Sequence, residues 1–322
     1  MREFSFPYIF ALQITTDCNL NCVHCNLVKN KLYLTYLDFK KIIDLLSVKN
    51  VLFIRLTGGE PLLNPDFKKM VKYIVSKNIG VGLNTNALFL NKKDILFYKK
   101  NISAIRISLD GLEDTYLKIR GNINYSKLLA NIDMIKKNDI PLSINCCIMK
   151  SNINEMDKFL SLCINLQFKN VSFNLIKPCG NQTNNFELID LFEKNYFIDS
   201  KVINNFKKLY AQNKCVINIE LDNFLYFLIY KKYKLNHLCG AGIESAYINL
   251  NGDISNCRYL PSKSNIFKLK DYSNVNLSDI DMCCSSCNYA SICKESCPAY
   301  VINYISGSDH FAKFKCPFID IN

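Results

Sequence analysis

Cys18, Cys22 and Cys25 fall within eight residues, in a loop that follows the first strand-like segment. Three thiolates at this spacing wrap one corner of an iron–sulfur cube and leave the fourth iron without a protein ligand. An open iron binds a substrate or cofactor, as an open zinc site binds water. The plainer readings of the same residues are a zinc site with His24 as a further ligand, or a chance cluster. Gly58-Gly59-Glu60-Pro61 follows the second strand-like segment, at the same sheet edge as the cysteine loop. Glycines there let the backbone approach a ligand closely, and the turn exposes amide and carbonyl groups. Alone this segment is a strand-to-helix turn; one β/α unit after the cysteine triplet, it is far more specific.

A second group of cysteines runs Cys239-x12-Gly252-x4-Cys257, then Cys284-x2-Cys287-x5-Cys293-x3-Cys297, then Cys316. Zinc knuckles are the plain alternative, but seven cysteines are too many for one tetrahedral zinc and too few for two all-cysteine sites. Cys283, beside Cys284, reads as a bystander. Five cysteines remain, and Cys146, Cys147 and Cys163 lie in strand-like or helical patterns, where cysteine behaves as a small hydrophobe. Cys179 and Cys215 sit near a boundary and are candidates to face a substrate cavity as hydrogen-atom donors. No Ser/His/Asp arrangement stands out, and Gly58-Gly59 is not a phosphate loop, because no Gly-Lys-Ser/Thr follows.

The elements that must position these residues alternate through the first half of the chain. Strand-like runs are Tyr8 to Thr15, Val51 to Thr57, Gly80 to Thr85, Ala104 to Ser108, Leu142 to Ile148 and Val171 to Leu175. Helical patterns run from Thr35 (the N-cap) to Val48, from Pro65 with Asn64 as cap, and over Lys92–Lys100, Tyr125–Asn138 and Asn154–Leu166. Six β/α units with near-continuous apolar strands predict a parallel α/β sheet, open or a partial barrel. The polar stretch Lys177 to Asn185 reads as a boundary. A helical bridge over Ile198 to Asn213 and Asn223 to Leu235 then leads to a cysteine-rich region from His237 onward, whose short fold metal would hold.

Composition narrows the class. The 322 residues are 49% hydrophobic and 21% charged, which excludes disorder as a description of the chain. No apolar run approaches the roughly 18 residues of a membrane span, and no export signal opens the sequence, so a cytoplasmic protein is expected. Sixteen cysteines in such a chain point to metal ligation or catalysis rather than disulfides. The net charge of +12 comes mostly from dispersed lysines, with only Arg2, Arg55, Arg106, Arg120 and Arg258 as arginines, so a nucleic-acid partner is not expected.

Together the cysteine triplet and the Gly-Gly-Glu-Pro segment resemble the radical S-adenosylmethionine (SAM) superfamily. The resemblance implies a [4Fe–4S] cluster on Cys18, Cys22 and Cys25, and SAM contacts from Gly58, Gly59, Glu60 and Pro61. Asn84-Thr85-Asn86 and Ser108-Leu109-Asp110-Gly111 resemble the family's later strand ends, and Arg120-Gly121 its following Arg-Gly, which adds Asn86, Ser108 and Arg120 as SAM contacts. Ala87 stands where the family usually has glycine. The C-terminal cysteine order resembles the SPASM domain of radical SAM peptide-modifying enzymes, which implies two auxiliary [4Fe–4S] clusters. Cys239, Cys257 and Cys297 would hold the inner one, and Cys284, Cys287, Cys293 and Cys316 the outer. The organisation implied is a radical SAM core over 1–178, a bridging segment over 179–236 and a SPASM domain over 237–322, the core being a partial (β/α)6 barrel.

The activity implied is reductive cleavage of SAM to a 5′-deoxyadenosyl radical that abstracts hydrogen from a substrate. A ribosomally made peptide is favoured, with a crosslink, thioether or epimerised centre as product; a sugar, aminoglycoside or other small molecule is the alternative. A sulfatase-type maturase fits less well, because Arg258 stands where those enzymes place an acidic base. The molybdenum-cofactor cyclase reading lacks its Gly-Gly-x-Arg tail. An electron carrier or a zinc-stabilised binding module would leave the Gly-Gly-Glu-Pro segment unexplained. A flavodoxin or ferredoxin is the expected reductant. With 17 residues ahead of Cys18, a separate leader-peptide-binding protein is an expected partner of a peptide maturase.

Overall fold

Along the central strands, one set of apolar residues packs under helices. Phe10, Leu12, Ile54, Leu56, Val81, Leu83, Ile105, Ile107, Ile144, Val171 and Phe173 are all buried in one continuous core. This computed structural model describes residues 7–121, 124–177, 199–230, 240–242, 244–260, 262, 264–266 and 268. Strands β1 (Ile9–Gln13), β2 (Phe53–Thr57), β3 (Gly80–Thr85), β4 (Ala104–Ser108), β5 (Leu142–Ile148) and β6 (Asn170–Leu175) lie side by side in sequence order, each parallel to the next. The expected parallel α/β arrangement of six units is therefore present. The order is open at both ends, as in a partial barrel.

Helices α1 (Tyr36–Val48), α2 (Phe67–Ser76), α3 (Ile95–Asn101), α4 (Glu113–Arg120), α5 (Tyr125–Lys137) and α6 (Met156–Asn165) connect the strands. Thr35 caps α1 as expected, its hydroxyl accepting from the Asp38 N–H at 3.1 Å. The start expected at Pro65 is displaced. Pro61–Leu63 form a 3₁₀ turn, and α2 begins at Phe67. Asn64 Oδ1 accepts the Asp66 N–H at 2.9 Å in the turn that precedes α2, and its Nδ2 ties neighbouring loops by donating to Ile14 O at 2.8 Å.

Two additions widen the sheet. Between the helices Ser200–Asn213 and Asn223–Tyr230, strand β7 (Asn218–Leu221) pairs parallel with β6. On the other flank, β8 (Ser245–Ile248) pairs parallel with β1, and β9 (Asp253–Ser255) and β10 (Ser264–Asn265) follow antiparallel. Gly252, at φ 79°, makes the β8–β9 turn, a backbone conformation that favours glycine. This hairpin brings the residues around Cys257 beside the cluster-loop end of β1. Among the described residues no helix is long and apolar enough to cross a membrane.

Candidate active site

Chain segments that leave the C-terminal ends of parallel strands share one rim, and ligands bind there. The loops after β1 to β6 do so here, around a cavity of about 390 Å³, within the ordinary range for small-molecule sites. Its wall includes Cys18, Cys22, Cys25, Gly58, Gly59, Asn86, Ser108 and Arg120. The sequence-predicted residues of the core thus come together, with two exceptions.

Glu60 and Pro61 are not in the wall. Glu60 is fully buried and braces it from behind. Its carboxylate accepts from Thr85 Oγ1 at 2.8 Å, the Asn86 N–H at 2.8 Å and the Leu62 N–H at 3.2 Å. Burial pushes its pKa up to about 7 against these hydrogen bonds. The glycines pack against the chain that enters the cysteine loop. A Cβ on Gly58 would lie 2.3 Å from Thr15 O, and one on Gly59 2.0 Å from Asp17 O. The N–H groups of Gly59 and Glu60 donate to those same carbonyls at 2.9 and 2.7 Å. The Gly-Gly pair therefore locks two loops edge to edge, a role distinct from the ligand approach expected of it.

On the opposite side, Arg120 closes α4, a helix absent from the sequence reading. Its Nε donates to Asp110 Oδ2 at 2.6 Å, and its Nη1 lies 3.7 Å from Cys22 Sγ. Burial alone would lower the arginine's pKa; the Asp110 carboxylate more than reverses this, so the guanidinium stays charged. Asp110, wholly buried, also accepts the Cys147 N–H at 2.8 Å. His24 lies 3.9 Å from the same carboxylate, and burial pushes its pKa down to about 4, so the ring is neutral near pH 7.

The three loop cysteines line one cavity, where a four-iron cluster would take each thiolate at a different corner. Burial pushes the Cys18 thiol up to about 11 and raises Cys22 too, so metal binding must displace protons.

The wall holds further polar residues from the strands themselves. Asn84, Arg106, Asn145 and Asn174 project from β3, β4, β5 and β6 into the cavity wall. Asn174 Nδ2 donates to Asn145 Oδ1 at 2.7 Å. Each sits at the polar beat of a strand whose other beat is core, so period-two reading of the strands would have found them. Lys177, after β6, pairs with Asp222, after β7. Arg258, the residue after Cys257, lines the cavity and donates from Nη2 to Asn26 Oδ1 at 3.0 Å, next to Cys25.

Cysteines outside the triplet separate by topology. Cys215 is exposed and precedes β7, at the end of the sheet opposite the cavity, so the expectation that it faces substrate is not met. Cys147 faces the cavity instead, while Cys146, one residue back on the strand, is buried in the core. Cys257 is described and partly exposed. Cys179, Cys239, Cys284, Cys287, Cys293, Cys297 and Cys316 lie outside the described residues.

Comparison with known proteins agrees with this geometry. Residues 12–163 match the Radical SAM superfamily, a family that implies SAM and a [4Fe–4S] cluster. The AdoMet-dependent heme synthase of Methanosarcina barkeri is 30% identical over 163 residues, covering 48% of this chain and 47% of that protein. The antilisterial bacteriocin subtilosin biosynthesis protein AlbA of Bacillus subtilis is 24% identical over 328 residues, covering 98% of this chain and 66% of AlbA. The chain thus spans about half to two thirds of the length of these curated relatives. Streptococcus suis SuiB, solved bound to precursor peptide SuiA, shares the fold at a TM-score of 0.69 and 16% identity, over 97% of this chain and 74% of that one.

Proposed function

We propose that this protein is a radical SAM oxidoreductase that modifies a ribosomally made peptide by crosslinking, thioether formation or epimerisation. The observation that carries the peptide reading is the similarity to AlbA, which runs over 98% of the chain and so extends well past residues 12–163. SuiB, bound to a precursor peptide in its own structure, adds the same fold over 97% of the chain. The heme synthase match favours a second reading, a small-molecule substrate, but it covers only 48% of the chain.

When bound, the cluster and SAM supply the 5′-deoxyadenosyl radical that abstracts a substrate hydrogen. In this reading Cys18, Cys22 and Cys25 hold the cluster, and Gly58, Gly59, Asn86, Ser108 and Arg120 contact SAM. Glu60 acts one step removed, fixing the Asn86 amide and the Gly-Gly turn. Asp110 fixes Arg120 beside Cys22. Cys239, Cys257, Cys284, Cys287, Cys293, Cys297 and Cys316 hold two auxiliary clusters in a SPASM domain over 237–322, after the bridging segment 179–236. A flavodoxin or ferredoxin delivers the electron, and a separate protein binds the peptide leader.

The test is anaerobic co-expression with the short peptides encoded beside the gene, read by mass spectrometry. A loss of two hydrogens indicates a crosslink or thioether. An unchanged mass with deuterium taken up from solvent indicates epimerisation. No change in any peptide, with SAM cleavage active, moves the assignment to a small molecule.

A further inference from the structure

Among the described residues, Arg106 is a cation of the cavity wall that makes no hydrogen bond or ion pair. It projects from β4 opposite Asn84 of β3, and both line the cavity. Its Nε is inaccessible to solvent and makes no hydrogen bond, and among the described residues the side chain forms no ion pair. Two of the carboxylates that meet the other cations here are engaged. Asp110 holds Arg120 and the Cys147 N–H, and Asp222 holds Lys177. Asn84 Oδ1 is taken by Arg55 Nη1 at 3.4 Å. Arg55 itself is pushed down to about 10, first by burial and then by the charge of Arg106, which together outweigh the attraction of the Glu220 carboxylate, so two cations lie close together. Leaving the buried Nε of a half-buried guanidinium without a hydrogen bond is costly, and the donors of its rigid fork match an oxyanion.

We propose that Arg106 forms an oxyanion subsite on the cavity wall, which takes a carboxylate of the substrate and so orients it in the cavity that Cys18, Ser108 and Arg120 also line. The source of that carboxylate, an acidic side chain or the C-terminus of a peptide, rests on the peptide reading above; the subsite itself does not. A phosphate presents the same chemistry to Arg106, so the two sources are separated by experiment.

The full chain is reconstituted anaerobically and saturated with SAM. Binding is then measured by ligand-observed NMR for N-acetylglutamate N-methylamide, its neutral glutamine counterpart and inorganic phosphate. The glutamate probe should bind at least about tenfold more tightly than the glutamine probe. Arg106→Gln should remove that preference, weakening the glutamate probe about tenfold to a hundredfold. Arg106→Lys should keep part of it. SAM affinity should be unchanged in both variants, which also shows that they fold. Binding of phosphate alone through Arg106 keeps the subsite and assigns it to a phosphorylated substrate. Equal binding of the glutamate and glutamine probes without phosphate binding, or no effect of either substitution, overturns the proposal. So does a parallel loss of SAM affinity, which would give Arg106 to SAM's own carboxylate. Failure of the peptide co-expression test leaves these binding results standing, so the two claims fail separately.

Discussion

The two walls of the cavity each rest on a fully buried carboxylate, and they hold it in opposite ways. On the β2–β3 side, Glu60 meets only neutral donors, a hydroxyl and two backbone N–H groups, and burial pushes its pKa up to about 7. On the β4–β5 side, Asp110 meets the Arg120 guanidinium at 2.6 Å. The first wall is fixed by hydrogen bonds that survive protonation in part. The second depends on a charge pair taken out of water, where removing one partner strands the other. The wall beside the Gly-Gly turn is therefore pH-sensitive by design of its surroundings, while the wall beside Cys22 is sensitive to charge removal.

Asp110→Asn is the sharpest way to break this contrast. It leaves the buried Arg120 uncompensated, and the expected loss is about 3–5 kcal/mol of unfolding free energy, read from denaturant melts of the cluster-free protein. A loss under about 1 kcal/mol would mean that the pair is solvated.

Glu60→Gln comes next. The pKa of Glu60 rises on folding from 4.5 to about 7, so the folded state binds the proton more tightly. The stabilisation from that bound proton is full below pH 4.5 and is lost as pH rises through about 7. The size is on the order of 3 kcal/mol. Denaturant midpoints of the cluster-free wild type should fall across that window, and the Gln variant should lack this component. Equal slopes would remove the contrast between the walls.

The smallest effect is expected at Ala87, which follows Asn86 in the first wall and adopts φ 65°. A non-glycine residue pays roughly 1–2 kcal/mol there, and glycine's greater freedom in the unfolded chain returns part of it. Ala87→Gly should therefore stabilise by no more than about 1 kcal/mol, measured as a small rise in Tm. A fall in Tm would show that the Ala87 methyl, buried in the core, matters more than the backbone.

How legible each part was follows from the range of the interactions that form it. The β3, β4 and β5 strands match their sequence bounds. The cysteine triplet was legible because its three ligands sit within eight residues. Asp110 was quoted as part of a strand end, but its role depends on Arg120, ten residues and one helix away. Arg106, Asn145 and Asn174 were hidden by treating the strands as continuously apolar, when only one face is. Cys147 and Cys215 exchanged places because facing the cavity depends on which end of a strand a residue occupies, and β7 had not been anticipated. The start of α2 lies two residues later than expected because Asn64 to Asp66 form a turn, with Asn64 Oδ1 accepting the Asp66 N–H, and the first helical bond runs from the Met70 N–H to Asp66 O.

The most direct measurement is 5′-deoxyadenosine formation by the anaerobically reconstituted chain, given SAM and dithionite, with iron and zinc quantified in the same sample. The expected result is iron-dependent 5′-deoxyadenosine in the wild type. A Cys18→Ala/Cys22→Ala/Cys25→Ala variant should show loss of that product and of the corresponding iron. Stoichiometric zinc in the triplet, or bound iron with no 5′-deoxyadenosine under strong reductant, would contradict the assignment.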